Sequence, residues 1–200
     1  QKEVIGDKDK SIAKIHRAIA KDHRAEPWKM TDSRRRWEKI KRTPPSQRSA
    51  QDQAYLLDHS YGGKGQNYSP NKGKQRPLDI FELHKRLHDV DVVDSDFAVT
   101  MKHWDSAATL HYLDPPYTVH SSHFKVRDVT PERVESVGSK MKGKVMVSYN
   151  DSPEVRTAFE GKRWRKHRIS VPRGIAGGSV EKKELLITNY DVRKEREGFD

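Results

Sequence analysis

Apolar positions along the chain follow two periods, and the switching between them sets the first expectation of fold. Val4 and Ile5, ahead of Gly6-Asp7, read as a short strand ending in an acidic turn. Ile12, Ile15 and Ile19 then recur at i, i+3 and i+7, one face of an amphipathic helix. A strand feeding a helix predicts an α/β domain with a parallel sheet. The alternation resumes at Pro77, which suits a first helical position, with Ile80, Leu83 and Leu87 on one helical face. Val90-Asp91-Val92-Val93 reads as a strand leading into Asp94-Ser95-Asp96-Phe97, and Thr109 to Leu113 as another that runs straight into Asp114-Pro115-Pro116-Tyr117. Thr130 caps an expected helix from Pro131 to about Lys142, and Ser152 caps the one opened by Pro153-Glu154. Between them Val145-Met146-Val147-Ser148 has the character of a buried strand. His167 to Val171 and Glu184 to Asn189 read as two closing strands joined by a flexible Gly174 to Ser179.

Between Pro27 and Pro77 the pattern breaks. Ser33 to Arg42 is a basic helical stretch stopped by Pro44-Pro45, Gln51 to Asp58 a short helix, and Tyr61 to Lys74 a glycine-rich loop or hairpin. The expected organisation is therefore an α/β domain made of 1–26 and 77–200, with 27–76 as a small, mainly helical insertion.

Charge and composition narrow the class. Among 200 residues, Lys and Arg number 40 and Asp and Glu 29, a formal charge of 40 − 29 = +11. Apolar residues make up 32%, so a large self-sufficient core is not expected. The absence of cysteine excludes a disulfide scaffold and any thiolate metal site. No run reaches the roughly 18 apolar residues of a membrane span. The sequence opens at Gln1 without a signal-peptide pattern, and a cytoplasmic protein trimmed or incomplete at its front is the expectation. Basic residues cluster between Arg34 and Lys74 and again from Lys162 to Arg168, the footprint of a nucleic-acid binder. Arg34, Arg35, Arg36, Lys64, Lys72 and Lys74 are the expected phosphate contacts, with Tyr68 beside them. Gln66, Asn67 and Asn71 are the best placed to read base edges, since an amide can pair bidentately with adenine.

The most informative segment is Asp114-Pro115-Pro116-Tyr117 at the end of a strand. Two prolines fix the backbone and remove donors, leaving the carbonyls of Asp114 and Pro115 open to hydrogen bonds. A carboxylate and a carbonyl together can grip both hydrogens of an amino group, and Tyr117 offers a flat face for a base. The carboxyl end of a strand in a parallel sheet is where α/β proteins bind ligands.

This tetrapeptide resembles the catalytic motif of amino-group DNA methyltransferases. Val147 to Arg156, followed by Lys183-Glu184-Leu185-Leu186-Ile187-Thr188-Asn189-Tyr190, is similar to the Dam-type, site-specific DNA-adenine branch. The resemblance runs over nearly the whole chain and is weakest between Ala25 and Arg76. It implies a Rossmann-like methyltransferase sheet with helices on both faces, S-adenosyl-L-methionine as methyl donor without a metal, and the 6-amino group of adenine in duplex DNA as target. On that resemblance Asp114, Pro115, Pro116 and Tyr117 are catalytic, and 27–76 is the target-recognition insertion. Asp7 matches the acid that holds the donor's ribose hydroxyls, with Asp9 as a substitute, and Asp96-Phe97 matches the segment that reads the donor's adenine. The target base must leave the duplex to be reached.

One departure stands out. Relatives of this arrangement begin with an aromatic-Gly-Gly-Lys segment and a strand carrying a glycine-rich donor loop, and neither precedes the acidic turn here. Gly62-Gly63-Lys64-Gly65 lacks the phosphate-loop spacing, and Gly174 to Gly178 follows the wrong strand. The missing piece is expected from a longer chain or a second polypeptide. Alternatives are a non-catalytic DNA-binding remnant or split-enzyme subunit, and an enzyme acting on guanine amines of ribosomal RNA. Weaker signals are His84 and His88 at i, i+4, read as surface histidines, and His120 and His123, read as loop residues within reach of phosphate. The four tryptophans are read as packing, with Trp164 in its basic run also open to a role as a base wedge.

Overall fold

The computed structural model describes residues 2–22, 27–70, 79–117, 128–175 and 178–193. It divides into two compact units, Gln1–Thr100 and Met101–Asp200.

In the first unit, β1 (Glu3–Gly6) pairs in parallel with β2 (Val90–Val93), Glu3 opposite Val90 and Gly6 opposite Val93. Between them in sequence come α1 (Lys10–Lys21), α2 (Arg34–Arg42), α3 (Ala50–Asp58) and α4 (Ile80–Leu87). The isoleucine periodicity holds in part in α1: Ile19 lies in a core with Trp28, Ile80, Leu87 and Val90, against which Ile5, Ile15, Met30, Ala50 and Ala54 pack, while Ile12 is half-buried outside it. That core draws on both the α/β segments and the residues after Pro27. Asp9 starts α1 by accepting the Ser11 amide at 2.8 Å. Arg17 ties α1 to the strands, donating to the Val92 carbonyl at 3.1 Å and to Asp94 at 2.5 Å. Arg86 does the same for α4 with a two-pronged pair to Glu3 at 2.6 and 2.9 Å.

A second core of Trp37, Ile40, Tyr55 and Leu56 joins α2 to α3. Arg48 closes the end of α2, where carbonyls lack helical partners. Its guanidinium donates to Ile40 O at 3.0 Å, Thr43 O at 2.9 Å and Lys41 O at 3.0 Å.

The second unit holds β3 (Leu110–Leu113), α6 (Pro131–Gly138), β4 (Lys144–Asn150), α7 (Pro153–Ala158), β5 (Arg165–Ile175) and β6 (Gly178–Thr188). Another helix, α5 (Phe97–Trp104), runs across the boundary between the units. The strands of the second unit form one sheet in the order β3-β4-β6-β5, parallel between β3 and β4 and antiparallel elsewhere. Val145, Val147, Tyr149, Leu185 and Ile187 are buried on one face. On that side Tyr149 meets Phe159, Phe159 meets Trp164 edge-on, and Gly138 leaves room for the Trp164 ring. Thr130 and Ser152 cap α6 and α7 by accepting the Arg133 and Val155 amides, each helix opened by proline, as the sequence predicts.

The fold is thus α/β, with seven helices among the described residues. Its strands form a two-stranded and a four-stranded sheet where one parallel sheet was expected, and the larger is mixed. Three boundaries also differ from expectation. Helix α5 stands where the sequence predicts no element, because Asp96-Phe97 suits a ligand-binding segment as well as a helix start. β5 and β6 continue as a ladder through Gly174 and Ser179, since residues on two long antiparallel strands supply each other's backbone partners. Helix α6 ends at Gly138 and not near Lys142, because the Lys142 and Gly143 amides are taken by the Asp105 carboxylate at 2.9 and 3.0 Å. A side chain at Gly143 would come within 2.5 Å of the Thr109 carbonyl, so only glycine fits that crossing. Among the described residues no helix is long and apolar enough to cross a membrane.

Candidate active site and nucleic-acid interface

Asp114 follows β3 directly, at the carboxyl end of a strand whose parallel partner is β4. Leu113 lies opposite Val147, so the next step places Asp114 beside Ser148. The Asp114 side chain is exposed, Pro115 is buried, and Pro116 and Tyr117 are half-buried. Pro115 thus roots the motif while the carboxylate faces solvent. One carboxylate oxygen, Oδ1, accepts the Ser148 hydroxyl at 2.8 Å. His120 and His123 lie outside the described residues.

The acids assigned to a methyl donor belong to the first unit. Parallel pairing of β1 and β2 brings their carboxyl ends to one edge, where the Asp7 amide donates to the Val93 carbonyl at 3.1 Å. Asp7 is half-buried, its Oδ1 accepts the Asp9 amide at 2.7 Å, and burial pushes its carboxyl above the usual range. Asp9 is occupied as the cap of α1, which leaves Asp7 as the better placed of the two. Asp96 opens α5: Oδ1 accepts the Ala98 amide at 3.0 Å, and Oδ2 lies 3.5 Å from the Lys8 ammonium. Phe97, the first residue of α5, is half-buried. Gly6, the last residue of β1, lies close to Thr100 of α5: a side-chain carbon there would be 3.2 Å from it. Two carboxylates at the ends of adjacent strands, each oxygen able to accept two hydrogen bonds, have the donor-seeking chemistry that ribose hydroxyls and an adenine amine require.

The basic helix and the glycine-rich loop form one piece. The loop runs from Ser60 to Tyr68, which pair in an isolated bridge, and the Tyr61 amide donates to the Asn67 carbonyl at 2.8 Å. Gly62, Gly63 and Gly65 all have φ between 61° and 69°, the left-handed region that glycine enters without strain. Lys41 of α2 donates to the Gln66 carbonyl, and the Tyr68 ring packs edge-on against Trp37 of α2. Tyr68 also donates its hydroxyl to Asp32, and that carboxylate pushes the phenol up to about 12. Tyr68 therefore serves the shape of the loop.

The expected phosphate contacts separate by environment. Arg35 and Lys64 are exposed with no partner among the described residues, and Arg34 is exposed with an i,i+4 pair to Glu38. Arg36 is turned inward: its guanidinium lies 3.9 Å over the Tyr55 ring and donates to the Lys29 carbonyl at 2.6 Å. Gln66 and Asn67 are exposed, and the hydrogen bonds they make run through their main chain. Asn71, Lys72 and Lys74 lie outside the described residues. A residue the sequence reading passed over is Tyr61, 74% exposed at the same loop. The signal was an aromatic immediately before two glycines.

The tryptophans resolve into packing and the two histidines into contacts with main-chain carbonyls. Trp28, Trp37 and Trp164 are buried and Trp104 half-buried. Trp164 also donates to Glu135 at 3.0 Å, which accounts for its indole nitrogen without a base. His84 meets the Ile19 carbonyl and His88 the Lys85 carbonyl. Among the described residues no three His, Asp or Glu side chains are grouped to hold a metal ion.

The sequence matches no family model and no curated protein.

Proposed function

We propose that this chain is the catalytic part of a Dam-type DNA-adenine methyltransferase with a Rossmann-like methyltransferase fold, acting on duplex DNA in the cytoplasm. The observation that carries the reading is the exposed Asp114 carboxylate at the end of β3, set on a buried Pro115 and held through one oxygen by Ser148. In this reading 1–26 and 77–200 form the catalytic domain, and 27–76 reads the target sequence.

The amino lone pair of adenine is conjugated with the ring and poorly nucleophilic. Hydrogen bonds from that amine to the Asp114 carboxylate and the Pro115 carbonyl localise the pair on nitrogen and aim it, so catalysis is positioning and electrostatics. S-adenosyl-L-methionine, when bound, supplies a sulfonium methyl: the new carbon–nitrogen bond forms as the carbon–sulfur bond breaks and sulfur keeps the electron pair. The methylated nitrogen is strongly acidic, and its proton passes to the Asp114 carboxylate and on to solvent. Tyr117 stacks on the extruded base. Asp7 serves the donor's ribose, and Asp96 and Phe97 its adenine. Arg34, Arg35 and Lys64 meet phosphates, while Gln66 and Asn67 read base edges.

The test is transfer of labelled methyl to unmethylated duplex DNA and to ribosomal RNA, with Asp114→Ala as control. Transfer to duplex adenine, abolished in Asp114→Ala while DNA affinity stays within a few-fold, is the expected result. Full activity of Asp114→Ala, or transfer to RNA alone, overturns the reading. DNA binding without donor binding by calorimetry would make the chain a non-catalytic DNA binder.

A further inference from the structure

The Asp114 carboxylate is not left to find its own orientation. β3 and β4 run parallel with Tyr112 opposite Met146 and Leu113 opposite Val147. Side chains alternate across a strand, so Tyr112, Asp114 and Ser148 share one face of the sheet. Ser148 is 7% exposed and lies between β3 and β6, opposite Leu186 on the latter. Its Oγ donates to Asp114 Oδ1 at 2.8 Å and accepts from the Tyr112 hydroxyl at 3.3 Å.

A hydroxyl has one proton. With that proton committed to Asp114, the Ser148 oxygen can only accept from Tyr112, which fixes the direction of the chain: tyrosine to serine to carboxylate. Donors aligned this way polarise one another in the same sense. An exposed aspartate at the end of a strand otherwise exchanges among staggered rotamers. Here a buried hydroxyl on the neighbouring strand takes one carboxylate oxygen of an exposed aspartate, and that bond restrains the whole carboxylate.

We propose that Ser148 is the positioning residue of this site: it locks the Asp114 carboxylate so that Oδ2 stands ready to accept the target amine, and Tyr112 aligns Ser148 in turn. The role in catalysis rests on the methyltransferase reading; the lock on Asp114 stands apart from it. Ser148 touches no reacting atom. It removes the need to freeze the carboxylate at the moment of reaction, and its loss is felt in turnover more than in binding.

Two measurements on the full chain test this. The first needs no activity: three-bond couplings to the Asp114 β-protons by NMR. One rotamer in the wild type, averaged in Ser148→Ala and single again in Ser148→Thr, is the expected result. Averaging already in the wild type, or couplings unmoved by Ser148→Ala, overturns the proposal. The second is the kinetic split. Ser148→Ala is expected to lower kcat roughly 10- to 100-fold with KM for DNA within about threefold. Ser148→Thr, which keeps the hydroxyl, should recover kcat to within a few-fold, and Tyr112→Phe should fall between the two. An effect of Ser148→Ala confined to KM, or no rescue by a folded Ser148→Thr, overturns the positioning role. If the couplings behave as expected and no protein transfers methyl, the methyltransferase reading fails and the lock on Asp114 stands.

Discussion

Asp105 and His111 meet at 3.2 Å, between the turn that leads into β3 and a buried position within that strand. The same carboxylate accepts the Lys142 and Gly143 amides just ahead of β4. One aspartate therefore fixes the start of two adjacent parallel strands, and with them the level at which Asp114 and Ser148 emerge at the other end. Thr109, the last residue before β3, adds a main-chain bond: its carbonyl accepts the Lys144 amide at 2.8 Å.

Acid should weaken this anchor in a defined direction. Burial opposes ionisation of Asp105, but the two amides and the His111 ring outweigh it and hold the carboxyl below the usual range. A lowered folded value means that the stabilisation is complete above the unfolded aspartate value, about pH 4, and is lost as pH falls through the folded one. Urea unfolding of the wild type and Asp105→Asn should show a gap at pH 7 that shrinks below about pH 4. A gap that does not change with pH would remove the ionised carboxylate from the account.

Arg48→Ala should destabilise the first unit by about 1–3 kcal/mol, because the Lys41 and Thr43 carbonyls lose the guanidinium donor and the Ile40 carbonyl keeps only the Thr43 amide. Arg48→Lys should restore little of this, since an ammonium lacks the planar fork that spans those acceptors. Denaturant midpoints of the two variants against wild type check it.

The arginines of α2 should separate by experiment. Arg35→Ala and Lys64→Ala are each expected to reduce the salt dependence of DNA binding by about one unit of slope while leaving stability unchanged. Arg36→Ala should instead lower the melting temperature, because that guanidinium stacks on Tyr55 and bonds the Lys29 carbonyl. Binding isotherms at several salt concentrations, paired with thermal melts, distinguish the two behaviours.

Tyr149 carries a buried hydroxyl with no hydrogen-bond partner among the described residues, and burial pushes its phenol well above the usual range. Tyr149→Phe deletes that unpaired group and keeps the ring against Phe159, so stability should stay level or rise by up to about 1 kcal/mol. A loss of more than about 1 kcal/mol in chemical denaturation would mean that the hydroxyl has a partner.

Much of the local structure was legible because it is decided by near neighbours. Thr130-Pro131 and Ser152-Pro153 start helices wherever they stand, since a side-chain oxygen reaches an amide three residues on. The isoleucine spacing of α1 and the valines of β4 reveal buried faces for the same reason. Helix α5 was missed although only Met101 of its residues is buried and Asp96 caps it, because the acid-aromatic pair suited two readings at once. Arg36 and Arg35 are adjacent and chemically identical in sequence, and nothing local says which one turns inward.

The sequence by itself determined the α/β alternation, the caps, the excess of positive charge and the place of Asp-Pro-Pro-Tyr at the end of a strand, all of which depend on residue type and short spacing. Only the tertiary structure decided that Ser148, 34 positions further along, lies on the Asp114 carboxylate, and that Asp105 holds the start of β4 through amides 37 and 38 residues away. Contacts of that kind depend on which strands pair and in what register, and register is set by the packing of whole faces, which no short window of sequence contains.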